Sequence, residues 1–166
     1  MKRITIIRHG KSSWANNKIA DHERPLLPKG KRRTHEIAEY IKERTNKPDL
    51  IISSTATRAL QTAQVIADLF KYSKNRIQEE HVLYEATSDD YFELLYPLEE
   101  NFSNVFIVGH NPEISELINN FIDPKIDYLP TSGAVCIEFA TKKWTEIHSA
   151  PFSVKFYISP RMLKSD

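Results

Sequence analysis

The chain has 166 residues and a formal net charge of +1, with 40% hydrophobic and 27% charged residues, a composition typical of a soluble globular protein. This length allows one domain with a substantial core, and we expect a single domain over residues 1–166. The near-zero charge gives no general reason to expect a nucleic-acid partner, and no apolar run is long enough to span a membrane.

The cysteine content and the start of the chain bear on the cellular compartment. Cys136 is the only cysteine, so we expect no internal disulfide and no cysteine-based metal site. The first residues lead directly into a strand-like run and lack the features of a signal peptide. These features predict a cytoplasmic protein.

The first predicted strand contains Ile4–Ile7 and ends in Arg8, His9 and Gly10. Its β-branched, uncharged residues are typical of a strand buried on both faces. Ligands of open α/β sheets bind beyond the carboxyl ends of the strands, so Arg8 and His9 would face a ligand. Gly10 permits a positive φ and a close approach of the backbone to that ligand.

Residues 11–28 lack periodicity and predict a loop that forms part of the pocket wall. Within it, Trp14 and Arg24 are the residues most able to reach a ligand. We favour that role for Arg24, whereas Trp14 is expected to pack the loop onto the domain. A helix over about residues 29–44 follows, with apolar residues at helical spacing. The basic run Lys29–Arg33 at its start is interpreted as a solvated face, or less favourably as a rim that attracts an acidic or phosphorylated partner.

Two later strands end as the first does. The strand over about 49–53 leads into a hydroxyl-rich turn and then Arg58, and the strand 104–109 leads into His110. Because parallel strands end at the same edge of a sheet, two arginines and two histidines are expected to converge there. Such a set, at strand ends and helix N-termini, predicts an anion site, and phosphate is the anion that it suits best.

The remaining periodic segments predict the fold class. Helices are expected at about 56–70, from about 88, and at about 112–122, with a strand near 79–84; after residue 130 the pattern changes to strands without helices, at 135–139, 145–148 and 153–158. Four βα units followed by consecutive strands predict a three-layer α/β/α sandwich with a mostly parallel central sheet and an antiparallel edge.

Five segments together resemble the histidine phosphatase superfamily, whose fold is the phosphoglycerate mutase-like sandwich. They are Arg8-His9-Gly10, Ser53–Ala59 with its arginine, Gly109–Pro112 with its histidine, Asp21–Leu26 and Ser159–Leu163. The last two are similar to the Asp-x-x-Arg-Pro-Leu and C-terminal Pro-x-x-Leu segments of the small SixA-type phosphohistidine phosphatases. The matches follow the family's order from residue 4 to residue 163.

The resemblance implies a catalytic assignment. His9 is expected to be the nucleophile and to form a phosphohistidine intermediate, while Arg8 and Arg58 bind phosphate oxygens with planar donor forks. His110, if protonated, adds a donor where charge develops. We expect no metal and no other cofactor, because these groups can neutralise the phosphate. No function is predicted for the other histidines: His22, His35, His81 and His148.

Two further residues carry open alternatives. Glu85 lies where the superfamily's phosphomonoester branch has a general acid for an alkoxide leaving group, but it could be a solvated carboxylate at a strand end. Ser132, in a segment that resembles one beside the family's active site, could donate to phosphate or cap the turn before the next strand.

The predicted function is hydrolysis of phosphohistidine on a protein. The superfamily's mutase and sugar-phosphatase branches carry a long insertion after the glutamate-bearing turn, whereas here only residues 86–104 separate Glu85 from Val105. A shallow pocket suits a phosphorylated side chain on a partner's surface. The alternatives are a small-molecule phosphomonoesterase acting on a small phosphate ester and a non-catalytic module that binds a phosphorylated ligand.

Overall fold

The computed structural model describes residues 1–164. It contains six strands and four α-helices in this part of the chain: β1 (Lys2–Arg8), α1 (Pro28–Lys42), β2 (Leu50–Ser54), α2 (Thr57–Phe70), β3 (Gln78–Glu80), α3 (Ser88–Leu95), β4 (Asn104–Gly109), α4 (Glu113–Ile118), β5 (Ala134–Phe139) and β6 (Phe152–Ile158). Short 3₁₀ helices occur at Asp21–Glu23, Lys74–Arg76, His81–Glu85, Trp144–Glu146 and Pro160–Leu163.

The strands form one sheet in the order β3-β2-β4-β1-β5-β6. The pairs β1–β4, β2–β4 and β2–β3 are parallel, while β1–β5 and β5–β6 are antiparallel. The predicted mostly parallel sheet with an antiparallel edge is therefore confirmed. Arg8 pairs with Gly109 across β1 and β4, so these strands end at the same edge of the sheet.

Two hydrophobic clusters cover the two faces of the sheet. Successive residues of a strand point to opposite faces, and β1 accordingly contributes Ile4 and Ile6 to one cluster and Ile7 to the other. Helices α1 and α2 pack on the Ile7 face, and α3 and α4 pack on the Ile6 face. This arrangement is the predicted three-layer sandwich. Within residues 1–164, no helix has the length and apolar character needed to cross a lipid bilayer.

The strand predicted near 79–84 is shorter than expected. β3 ends at Glu80, and His81–Glu85 form a 3₁₀ helix. Leu83 is buried in the Ile6-face cluster, whereas His81 and Val82 are exposed, so the strand alternation stops after Glu80. Glu85 therefore follows a helical turn rather than a strand.

The predicted strand at 145–148 is wrong. Trp144–Glu146 form a 3₁₀ helix, and the buried side chains of Trp144 and Ile147 are three residues apart, the spacing of one turn of such a helix. The Trp144 indole N–H also donates to the Phe102 carbonyl at 2.9 Å. These contacts hold the segment against the sheet without strand pairing.

Helix α4 is also shorter than predicted, since it ends at Ile118 rather than near residue 122. The side chain of Asn119 bonds both the backbone N–H and the carbonyl of Ile126, each at 2.9 Å. These two hydrogen bonds replace the helical continuation by a connection to the following loop.

Candidate active site

His9 follows the last residue of β1 and is 7% exposed. Its Nδ1 lies 2.7 Å from the Gly10 carbonyl, which can only accept, so the hydrogen is on Nδ1 and the lone pair is on Nε2. Burial, with a smaller contribution from the nearby His110, Arg58 and Arg8, lowers the pKa of His9 to about 3. The ring is therefore neutral at pH 7, as a nucleophile requires.

Arg8 and Arg58 lie beside this imidazole. Arg8 donates from Nη1 to the Leu129 carbonyl at 3.0 Å, and burial lowers the pKa of its guanidinium. Arg58 is the second residue of α2 and is 6% exposed. The buried Nε atoms of both arginines have no partner within residues 1–164. Two guanidinium groups thus retain unused donors in one cavity, and an anion supplies the acceptors they lack.

His110 lies beside His9, with the two ring centroids 5.0 Å apart. A hydrogen bond of 2.8 Å joins its Nε2 to the hydroxyl of Ser54 at the end of β2. Burial and, next, the positive charge of Arg58 lower the pKa of His110 to about 4. In the phosphate-free site His110 is therefore neutral at pH 7, and a bound phosphate dianion would raise its pKa.

Asp21 and Tyr84 form one wall of the cavity, where Asp21 accepts hydrogen bonds from two arginines. Its carboxylate accepts from Arg24 Nε at 3.0 Å, from Arg58 Nη2 at 3.1 Å and from the Tyr84 hydroxyl at 2.5 Å, and its backbone carbonyl accepts from Arg58 Nη1 at 2.8 Å. The hydrogen bond from Tyr84, followed by Arg24 and Arg58, lowers the pKa of Asp21 to about 2. The carboxylate stays ionised and orients the Arg58 fork.

Asp21 and Tyr84 were not predicted as site residues. Asp21 does stand in the Asp21–Leu26 segment that resembles the SixA-type proteins, and this was the available signal. Tyr84 precedes Glu85, and its ring packs edge-on against His110 with centroids 5.6 Å apart. Nothing in the sequence separates such a tyrosine from a core aromatic residue.

The structure also places two histidines without a predicted function in this wall. Nε2 of His22 lies 2.8 Å from the Thr55 hydroxyl, and Nδ1 of His81 lies 3.0 Å from the same hydroxyl. The His22 ring packs edge-on against Tyr84 at 4.8 Å between centroids. They form an outer layer around the Tyr84 side chain.

The predicted binding residue Arg24 is 7% exposed and lines the cavity. Besides Asp21, it donates to the Ser12 hydroxyl at 2.8 Å and so holds the loop together. The expectation that Trp14 packs onto the domain is wrong: its ring is 77% exposed, and the Arg24 guanidinium stacks on it at 3.4 Å from the centroid. The cation–π contact with Arg24, rather than burial in the domain, therefore holds the Trp14 ring.

Gly10 lies just behind the cavity, and no described glycine has a positive φ, which corrects the expectation for this residue. A Cβ at Gly10 would lie 2.9 Å from Thr34 Oγ1 and 3.1 Å from the Gly30 carbonyl, so the glycine permits close packing on α1. Its N–H donates to the Thr62 hydroxyl at 2.9 Å rather than to a ligand.

Ser132 adopts a φ of 61° and is 1% exposed. Its hydroxyl hydrogen-bonds Thr34 at 2.8 Å, and its backbone N–H donates to the His9 carbonyl at 3.1 Å. The hydroxyl is therefore engaged behind the site, while the neighbouring Thr131 lines the cavity. Glu85 is exposed at the opposite edge and also lines the cavity.

The cavity that these groups surround has a volume of about 640 Å³. Its lining brings together four of the predicted residues from three strand ends: Arg8, His9, Arg58 and His110. Within residues 1–164, no group of three or more ligating side chains could hold a metal ion. The lining is cationic at its centre and suits a phosphoryl group, which the two guanidinium groups could bind and the His9 Nε2 could attack.

Comparison with known proteins agrees with this class of site. Residues 4–94 match the family model described as histidine phosphatase superfamily (branch 1), a segment that includes Arg8, His9, Arg58 and Glu85. An uncharacterized protein of Mycobacterium tuberculosis is 33% identical over 111 residues, which are 67% of this chain and 66% of the relative. This chain thus spans slightly under two thirds of that relative's length.

Solved structures show the same fold along nearly the whole chain. A candidate phosphohistidine phosphatase SixA from Agrobacterium tumefaciens is 28% identical, with a TM-score of 0.78 over 96% of this chain and 98% of that one. A protein histidine phosphatase SixA complexed with tungstate is 19% identical and has a TM-score of 0.81 over 98% and 99% of the two chains. The chain belongs to the histidine phosphatase superfamily.

Proposed function

We propose that this member of the histidine phosphatase superfamily hydrolyses phosphohistidine on proteins through a covalent intermediate on His9. The observation that carries the proposal is the orientation of the His9 ring. Its Nδ1 hydrogen is held by the Gly10 carbonyl at 2.7 Å, so Nε2 has a lone pair beside two arginines with unused donors. Binding alone would need no nucleophile, which argues against a non-catalytic module.

The proposed reaction proceeds in two balanced steps. First, the lone pair of His9 Nε2 attacks phosphorus, and the bond from phosphorus to the substrate imidazole breaks. The substrate imidazole, protonated beforehand on its other nitrogen, leaves as a neutral ring. A water molecule then attacks phosphorus and breaks the bond to Nε2, which releases inorganic phosphate and returns His9 to its neutral form.

Arg8 and Arg58 stabilise the charge on the equatorial phosphate oxygens in both steps. Preorganised donors of this kind each contribute about 10²–10³-fold in rate. Asp21 keeps the Arg58 fork oriented through contacts at 2.8 and 3.1 Å, so the donors need no rearrangement during the reaction. His110, neutral without phosphate, gains a proton more readily once the anion is bound.

The short segment that follows Glu85 supports a substrate that projects from the surface of another protein. Residues 86–104 form little more than helix α3 and the entry to β4, so this part of the chain places no long segment over the cavity. A phosphorylated imidazole projecting from a partner can reach His9 without a lid opening. The likeness in fold to the candidate phosphohistidine phosphatase SixA of Agrobacterium tumefaciens adds to this argument.

The position of Glu85 favours a second candidate function, that of a small-molecule phosphomonoesterase. It lines the cavity from the end of the His81–Glu85 helix and is exposed, so it is free to protonate a leaving group. An alkoxide is a far poorer leaving group than a neutral imidazole and needs such an acid. General acid catalysis contributes about 10²–10⁴-fold where it is needed.

A substrate panel on wild type and Glu85→Gln tests the proposal. We expect wild type to hydrolyse a phosphohistidine peptide with a higher kcat/KM than an alkyl phosphate. The variant should lose about 10²-fold or more on the alkyl ester yet change little on phosphohistidine or p-nitrophenyl phosphate, whose leaving groups need no acid. Glu99→Gln, an exposed change outside the cavity lining, is the matched control.

Two results would change the assignment. If wild type hydrolyses the alkyl ester as well as phosphohistidine, the small-molecule activity replaces the proposed one. If Glu85→Gln impairs all three substrates equally, Glu85 orients phosphate or supports the wall instead of donating a proton.

A further inference from the structure

A group of basic side chains borders the cavity on the α1 side and has no part in the proposed chemistry. We call it the basic rim, and it comprises Lys11, Lys29, Arg32, Arg33, Arg161 and Lys164. The residues come from the loop after β1, from α1, and from the last 3₁₀ helix and the residue that follows it. The positive charges of Arg33 and then Lys11 lower the pKa of Lys29, which shows how closely these cations approach one another.

These cations have no partners among residues 1–164, since none of the six side chains forms an ion pair or donates a hydrogen bond there. Other basic residues are paired, such as Arg3 with Glu138 and Lys74 with Asp68. The contrast marks the rim as a concentration of uncompensated positive charge in a chain of net charge +1.

Helix stability does not account for this placement. Pro28, Lys29, Gly30 and Lys31 open α1, and its first turn contains no acidic residue. The N-terminal end of a helix carries partial positive charge and disfavours cations. Lys29, the rim residue in this first turn, therefore acts against the helix that carries it, as residues at functional sites often do.

The rim is continuous with the active-site cavity. Lys11 and Arg33 line the cavity, and Arg33 and Thr131 also line an adjoining hollow of about 290 Å³. The hollow is completed by Pro130, Pro160, Arg161 and Lys164. The cavity lining also contains Glu85 and Glu113, which follow β3 and β4 and belong to the α3 and α4 side. The entrance is thus cationic towards α1 and carboxylate-bearing towards α4.

We propose that the basic rim binds acidic residues next to the phosphohistidine on the substrate protein. This inference rests on the proposed function and adds the class of partner: a phosphoprotein whose histidine is flanked by carboxylates. The phosphoryl group occupies the cavity at His9 while the flanking carboxylates contact the rim and the adjoining hollow. Complementary charge of this kind accelerates association and selects partners.

The charge distribution favours an acidic protein over a nucleic acid. A nucleic-acid strand carries phosphates along its whole length, and it would meet Glu85 and Glu113 on crossing the cavity. A protein surface can confine its acidic residues to the side that faces α1. Among residues 1–164, no aromatic residue lines the hollow beside the rim, and Trp14 in the cavity is already stacked on Arg24.

Two peptides test the proposal. Both carry one histidine, phosphorylated on its ring with potassium phosphoramidate; three glutamates flank it in the first peptide, and glutamines replace them in the second. We expect wild type to show about a tenfold or greater preference in kcat/KM for the acidic peptide, falling steeply with ionic strength. Lys29→Glu combined with Arg161→Glu, both outside the cavity lining, should abolish the preference and leave p-nitrophenyl phosphate hydrolysis unchanged.

The matched control is Lys142→Glu combined with Lys143→Glu. These exposed lysines follow β5 at the edge of the sheet remote from His9, and the change in net charge is the same. The control should keep the wild-type preference. Binding of a dye-labelled acidic peptide without phosphate, measured by anisotropy, tests the rim independently of catalysis and should weaken only in the rim variant.

The outcomes separate the two proposals. Equal kcat/KM for both peptides, or a rim variant that keeps the preference, would overturn the inference while leaving phosphohistidine hydrolysis in place. Rim-dependent binding of the acidic peptide without hydrolysis of either phosphopeptide would uphold the rim and overturn the proposed function. Tighter rim-dependent binding of a 20-nucleotide single strand than of the acidic peptide would replace the protein partner by a nucleic acid.

Discussion

The centre of the active site and its wall are built in different ways. At the centre, His9 and His110 follow neighbouring parallel strands, and the pairing of Arg8 with Gly109 sets their relative position. In the wall, Asp21 and Tyr84 come from two separate 3₁₀ helices, and the hydrogen bonds that Asp21 accepts from Arg58 and Tyr84 hold them together. The proposed nucleophile therefore follows a strand of the central sheet, while Asp21 and Tyr84, which contact Arg58 and one another, belong to short 3₁₀ helices.

The largest expected effect comes from the centre. His9→Ala should lower kcat on every phosphate substrate by more than about 10³-fold, because it removes the covalent route. His35→Ala, an exposed residue on α1, is the matched control and should retain wild-type kcat. Steady-state kinetics, with circular dichroism to establish folding, measure both. A variant with a tenth of the wild-type kcat would remove His9 from the nucleophilic role.

Arg58 joins the two regions, and its replacement should produce the next largest effect. Arg58→Lys retains the charge but loses the planar fork that contacts both the carbonyl and the carboxylate of Asp21. We expect kcat/KM to fall by about 10²-fold, and the inhibition constant for vanadate to rise. Arg44→Lys, an exposed change just after α1 and outside the cavity lining, should have no effect on either quantity. Wild-type inhibition by vanadate in Arg58→Lys would contradict the assignment.

The sequence predicted the centre because strand ends obey a general rule. The runs before Arg8, Arg58 and His110 each read as a buried strand, and parallel strands bring such ends to one edge. The wall follows no comparable rule. Asp21 contacts Arg58 and Tyr84, 37 and 63 residues away, and these contacts depend on the positions of two short 3₁₀ helices. The same dependence explains why the segment at 145–148 was misread as a strand.

The buried histidines of the centre also make a prediction about pH. The pKa values of His9 and His110 are lowered to about 3 and about 4, whereas an unfolded histidine titrates near 6.5. Below pH 6.5 the unfolded chain binds protons that the native chain does not. The stability present above pH 6.5 is therefore lost as the pH falls towards these values, by up to about 1.4 kcal/mol per pH unit for each histidine.

Urea unfolding between pH 7 and pH 5 in phosphate-free buffer measures how the free energy of unfolding changes with pH. We expect the free energy of unfolding of His9→Ala to fall less steeply with acid than that of wild type. The difference should be up to about 1.4 kcal/mol per pH unit, the contribution of one histidine, while His35→Ala should match wild type. If the free energy of unfolding depends on pH equally in all three proteins, His9 has an ordinary pKa in the folded state. Burial would then not be the reason why His9 is neutral at pH 7.

The smallest expected effect is in the wall, and it decides whether the wall positions Arg58 or merely borders the cavity. Tyr84→Phe removes only the hydroxyl that donates to Asp21, and one such hydrogen bond corresponds to a change of about two- to tenfold. We expect kcat/KM to fall about threefold, and about tenfold in Asp21→Asn, because Arg58 then loses the carboxylate that orients it. Tyr40→Phe, whose ring packs on Arg44 away from the site, is the control.

A double variant tests whether the two wall residues act on Arg58 as a unit. If they do, Tyr84→Phe combined with Asp21→Asn should lower kcat/KM no further than Asp21→Asn alone, and both effects should disappear in an Arg58→Lys background. Effects that multiply, or that persist without the arginine fork, would show that the wall acts on the substrate directly rather than through the centre.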